Sequence, residues 1–124
     1  MQKRIEIKET LVNSQQLQLL ADEVAFSLEE VQASNQMLVD SDQLSFIYKL
    51  ETATEFVYVS ISHSFWSAIK NAVEEKKAIV LVVGKIALLL TQFAEELQYL
   101  VENIKDNANY GEDMEKKVTE VFFA

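Results

Sequence analysis

Over the first sixty residues of this chain, apolar side chains fall on every second position; beyond about residue 62 they recur at helical spacing. A period of two places side chains on one face of an extended strand. Ile5 and Ile7, Leu17 and Leu19, and Val24, Phe26 and Leu28 each follow it, as do residues 37–39, 44–50 and 56–61. Polar breaks at Val12-Asn13-Ser14, at Asp40-Ser41-Asp42 and over residues 51–55 supply the turns. The pattern predicts antiparallel strands joined as a meander. In the hairpin of 44–50 with 56–61, a five-residue loop over 51–55 would set Leu50 opposite Phe56 and Tyr48 opposite Tyr58. Such aromatic pairs stabilise a sheet by about 0.2–1 kcal/mol relative to alanine.

After Ser62, the positions Phe65, Ile69, Ala72 and Val73 form one helical stripe, with Ser62 or Ser64 as the N-cap. Residues 78–83 and 86–90 are short apolar runs separated by Gly84-Lys85. Glycine at the first central position of a two-residue turn supplies a positive φ, which favours a hairpin here over a helix running through Gly84. Thr91 is then placed to cap a helix whose apolar positions are Phe93, Leu97, Leu100, Val101 and Ile104. A break at residues 107–111 precedes a last helix with stripe Met114, Val118, Val121 and Phe122. Glu112 and Asp113 complement the positive end of its dipole. The expected fold class is α+β: an antiparallel meander of about six to eight strands, packed by one mid-chain helix and two C-terminal helices.

Composition fits one α+β domain over residues 1–124, with no linker, repeat or low-complexity run to divide it. Of the 124 residues 49% are apolar and 25% charged, proportions of an ordinary globular protein. There is no cysteine, so disulfides, thiolate metal sites and cysteine nucleophiles are excluded and a reducing, cytoplasmic location is expected. The start of the chain carries no signal-peptide pattern, and the apolar run 78–90 is shorter than the roughly 20 residues a spanning helix needs. A net charge of −9, concentrated over residues 22–55 and 92–124, repels phosphate backbones and anionic lipid. Neither nucleic acid nor membrane is an expected partner, although an acidic surface could mimic nucleic acid in a basic protein groove.

Chemistry-bearing residues are few. His63 is the only histidine, so no His-His metal site exists within one chain, and no Gly-x-Ser-x-Gly elbow surrounds its neighbours Ser62 and Ser64. Asp40 and Asp42 could offer two oxygens to a hard cation, but the spaced ligands and closing glutamate of a calcium loop are missing, so turn formation by Asp and Ser is the favoured account. Asn107, Asn109, Tyr110, Gly111 and Glu112 form the densest polar turn, either a helix end and re-entry or a recognition loop. Trp66 follows Phe65, and Phe123 follows Phe122, so the two rings of each pair cannot share one narrow stripe; such rings are either core flankers, the favoured reading, or partly exposed anchors for a partner. Walker, dinucleotide-binding and zinc-protease signatures are absent, and no cofactor or catalytic residue is expected.

Three segments carry a resemblance: residues 38–48 (LVDSDQLSFIY), 56–63 (FVYVSISH) and 99–112 (YLVENIKDNANYGE). Together they resemble a small protein family of low-GC Gram-positive bacteria, over most of the chain from about residue 35 onward. The resemblance implies a cytosolic bacterial protein and brings no assigned activity and no catalytic residue.

Two function classes follow. The first is a non-enzymatic interaction module that binds a protein partner or a second copy through exposed aromatics or a sheet edge. The other is a small-molecule or metal-binding protein, or a small enzyme, whose site gathers Asp40, Asp42, His63 and the turn from Asn107 to Glu112.

Overall fold

The computed structural model describes residues 3–123. Seven strands form one sheet: β1 (Lys3–Val12), β2 (Gln16–Ala21), β3 (Gln32–Asp40), β4 (Ser45–Glu51), β5 (Phe56–Ser62), β6 (Ala78–Val83) and β7 (Ile86–Leu89). Three helices accompany them: α1 (Trp66–Glu74), α2 (Phe93–Ile104) and α3 (Glu112–Phe122). Single 3-10 turns at His63–Phe65 and Ala108–Tyr110 lead into α1 and α3. The fold is α+β, with the strand number and helix number that the hydrophobic pattern predicts.

The sheet is mixed, not an antiparallel meander. Its order is β3-β4-β5-β1-β2-β6-β7, with β1 parallel to β5 and β2 parallel to β6. The N-terminal hairpin therefore lies in the middle, and two later units attach to its sides: β3-β4-β5 to β1, and β6-β7 to β2. Alternation in a sequence identifies which face of a strand is buried; it carries no information about which strand lies alongside.

All three helices pack on the face that bears Ile5, Ile7, Leu17, Leu19, Phe46, Tyr48, Val57, Val59, Ile61, Ile79 and Leu81, each at most 5% exposed. Trp66, fully buried, docks α1: its ring stacks on Phe46 at 4.1 Å between centroids and 7° between planes, and its indole N–H donates to the Ile61 carbonyl at 3.1 Å. Phe122 of α3 closes on the same pair, 6.0 Å from each ring. The residues of α2 that the helical spacing singled out, Phe93, Leu97, Leu100, Val101 and Ile104, are all buried, as are Met114 and Val118 of α3.

The sheet curls enough for its two edges, β3 and β7, to touch. A small polar cluster holds them. The Tyr48 hydroxyl donates to the Thr91 carbonyl at 2.6 Å, the Thr91 hydroxyl bonds the side chain of Asn35, and the Met37 amide of β3 donates to Glu96 of α2 at 3.4 Å. Thr91 thus serves the edge closure and does not cap α2. The cap position is Gln92, in the left-handed conformation with φ of 56° and without a side-chain cap bond.

Three further local expectations are corrected. Residues 22–31 are irregular, so Val24, Phe26 and Leu28 form no strand; Leu28 is buried and the other two pack against the core. Any extended segment lying along an apolar surface shows a period of two, with or without a strand partner. In the β4–β5 hairpin, Tyr48 pairs with Val59, and Tyr58 with Lys49. Thr52 makes the loop shorter: its amide donates to the Glu55 carbonyl at 2.8 Å, and its hydroxyl accepts from the amides of Thr54 and Glu55. A one-residue shift of register moves a side chain to the other face, so Tyr48 enters the core and Tyr58 does not. The buried stripe of α1 begins at Trp66; Phe65, half-buried, is its cap.

The β6–β7 hairpin forms as expected. Gly84 has φ of 58° at the first central position of the turn, and a Cβ there would lie 2.8 Å from Glu23 Oε1.

Burial raises the Tyr48 pKa above its ordinary 10.0, and the nearby Glu96 carboxylate acts in the same direction. The unfolded chain then loses this proton at lower pH than the folded one, so stability falls as pH rises above about 10. We expect Tyr48→Phe to flatten that alkaline loss while lowering stability at neutral pH by about 1 kcal/mol, the usual net value of a hydrogen bond. Urea unfolding across the alkaline range checks both; a variant as alkali-sensitive as the parent would contradict the assignment.

Candidate functional site

No helix covers the second face of the sheet. Strand alternation puts Arg4, Glu6, Leu38, Asp40, Ser45, Ile47, Tyr58 and Ser60 there, on the β3-β4-β5-β1 side. Arg4 lies on β1 and Asp40 on β3, with β5 and β4 between them, yet the Arg4 guanidinium reaches Asp40 at 3.0 Å. Glu6 stands 3.9 Å from its other terminal nitrogen. Beneath this bridge, Ser45, Ile47 and Ser60 are buried although no helix lies over them. Two serines in this region leave room for the long side chain to pass. The buried Arg4 Nε and Ser60 Oγ have no hydrogen-bond partner.

Next to the bridge is a hollow of about 340 Å³ lined by Arg4, Leu38, Asp40, Asp42, Ile47 and Tyr58, among others. The structure brings the two sequence-predicted aspartates together here, with different duties. Asp40 is paired with Arg4 and accepts from the Gln43 amide at 3.3 Å, whereas Asp42 is exposed in the β3–β4 turn. His63 is close by through the backbone: its amide donates to the Leu44 carbonyl of the same turn at 3.0 Å, and its ring meets Trp66 edge-on at 6.3 Å. Leu44 itself is held at φ of 50°.

The other predicted residues serve other ends. Trp66 is core, and the other ring of that pair, Phe65, is half-buried against it. Asn107 caps the 3-10 turn, accepting from the Asn109 amide at 3.0 Å and donating to the Asn103 carbonyl at 3.3 Å. Tyr110 packs against the core, Asn109 and Glu112 are exposed, and Glu112 stands in the first turn of α3. Among the described residues no hydrogen bond or ion pair links this turn to the aspartates or His63. Nor do three histidine or acidic side chains converge as a metal-holding group among those residues.

Arg4, Tyr58 and Ser60 were not singled out by sequence reasoning. Their only signal was parity: each is the polar member of an alternating strand, and that role is filled by many residues with no further duty.

On the β2-β6-β7 side the same face changes character. Leu20, Val80, Val82 and Ala87 lie on it, with Leu11 and Leu89 at 57% and 51% exposure. The remaining outward positions of these three strands are Gln16, Gln18 and Ala78, so β2, β6 and β7 carry no ionisable group on this face.

A small α+β protein with one sheet face left without a helical layer is the class so defined; among the described residues no helix is long and apolar enough to cross a membrane. The chain belongs to the UPF0738 family, a family of unknown function, whose match covers residues 5–122. It is 48% identical to the UPF0738 protein YjbL of Bacillus subtilis (strain 168), over 98% of this chain and 99% of that one. It is 47% identical to a UPF0738 protein of Geobacillus sp. (strain WCH70), over 98% of both chains, and 49% identical to one of Bacillus velezensis, over 98% and 99%. No solved structure matches. The resemblance to a family of low-GC Gram-positive bacteria therefore holds along almost the whole chain, including the region before residue 35.

The Arg4–Asp40 bridge is testable as a pair. Asp40→Asn leaves a partly buried guanidinium short of a partner and is expected to cost about 1–2 kcal/mol. In a double-mutant cycle with Arg4→Met by urea unfolding, a coupling of about 1 kcal/mol is expected. A coupling of zero would mean that the bridge contributes nothing.

Proposed function

We propose that this protein is a cytoplasmic, non-catalytic protein-interaction module whose docking surface is the bare face of β2, β6 and β7. The observation that carries this reading is the uncharged apolar strip made by Leu11, Leu20, Val80, Val82 and Leu89 on a face that no helix covers. Contiguous exposed apolar surface is costly for solubility, and where it persists it marks an interaction site. The partner it suits is a protein presenting an equally uncharged, apolar surface, since a basic partner would be drawn instead to the acidic helices α2 and α3. A cysteine-free sequence and the lack of a spanning helix support the cytoplasmic location.

A photo-crosslinking amino acid placed at Leu89 in the cell tests this. Adducts are expected from Leu89, not from the more exposed Tyr99 on α2, and their yield should drop several-fold when Val80→Glu puts a charge on the strip. Leu89 giving no adduct, or adducts indifferent to Val80→Glu, would sink the reading.

A further inference from the structure

Resting on that reading, we infer that the occupant of the bare face is a second copy of this chain, related by a two-fold axis that passes beside Gln18. Charge points to it first. The chain carries a net charge of −9, so two copies repel over most of their surfaces. The outward positions of β2, β6 and β7 hold no ionisable side chain, and Glu9 stands only at their β1 border, which makes this the face on which two copies can meet with the least opposition of like charges. An identical copy offers an uncharged apolar surface by construction.

The register supplies the second argument. Across the strands run two rows. One is Leu11, Gln18, Val80 and Leu89; the other is Leu20, Val82 and Ala87, entered from β1 by Glu9. Gln18 is the polar member in the middle of the first row and half-buried. A carboxamide carries both donors and an acceptor, so it pairs with a copy of itself across a two-fold axis, as an isologous interface requires. On either side of that pair, Leu11 and Leu89 would pack against the partner's apolar row.

Size sets the strength. Four strands about 4.8 Å apart, contributing roughly four to six residues each, give a footprint on the order of 300–400 Å² per copy before side-chain relief. That falls in the range of weak, transient interfaces, so the dimer exchanges rapidly and forms at micromolar or higher concentration.

Sedimentation velocity over a concentration series decides it. The parent protein is expected to shift from monomer toward dimer as concentration rises, while Gln18→Glu and Gln18→Lys, each folded by circular dichroism, remain monomeric with association weakened by about tenfold or more. Mixing the two variants in equal amounts should restore the dimer, because opposite charges then face each other across the axis. A parent that stays monomeric to near-millimolar concentration overturns the inference, as do single variants that associate like the parent or a mixture that does not associate. The adduct mass from Leu89 separates this failure from failure of the docking reading. Twice the chain mass supports the second copy; adducts only with other proteins keep the docking face and remove the second copy; no adduct removes both.

Discussion

The structure depends on a constraint that begins at one stacked pair. Trp66 on Phe46, with the indole N–H held by the Ile61 carbonyl, fixes the start of α1 against one face of the sheet, and Phe122 brings α3 onto the same two rings. Once α1 and α3 are there, α2 fills the space that remains between them and the curling edge of β3. Three helices are then committed to a single face. The other face is left to its own side chains.

The two halves of that bare face solve the exposure problem differently. On the β3-β4-β5-β1 side a long side chain serves as cover: Arg4 crosses two strands to Asp40, over Ser60 and Ile47. On the β2-β6-β7 side there is no such bridge among the described residues; Leu11 and Leu89 are exposed, and Leu20, Val80 and Val82 are half-buried. The contrast is what gives the apolar strip its meaning.

Helical stripes were the most legible feature of the sequence. Phe93, Leu97, Leu100, Val101 and Ile104 needed no information beyond their own spacing, because a helix buries a face set by local geometry. Strand existence and the Gly84 turn were also readable, for the same local reason. Partners were not. The parallel pairs β1–β5 and β2–β6 join residues more than fifty positions apart, and nothing in the alternation of either strand names its neighbour. The Tyr48–Tyr58 pairing failed because Thr52 closes a tighter loop than its sequence position suggests. Of the candidate residues, Asp40 and Asp42 line one hollow, and His63 touches the same turn only through its backbone amide. Arg4 was not found, since its reach across two strands is a property of the assembled sheet.

A chain without cysteine allows a direct measurement of whether one face is covered and the other bare. Single substitutions Val80→Cys and Leu81→Cys place a thiol at adjacent positions of β6 that point to opposite faces. In dilute native protein, Val80→Cys, half-buried, should react with a maleimide much faster than Leu81→Cys, which should react only as fast as the protein unfolds. Equal protection of both, or ready labelling of Leu81→Cys in the folded state, would contradict a helical layer confined to one side.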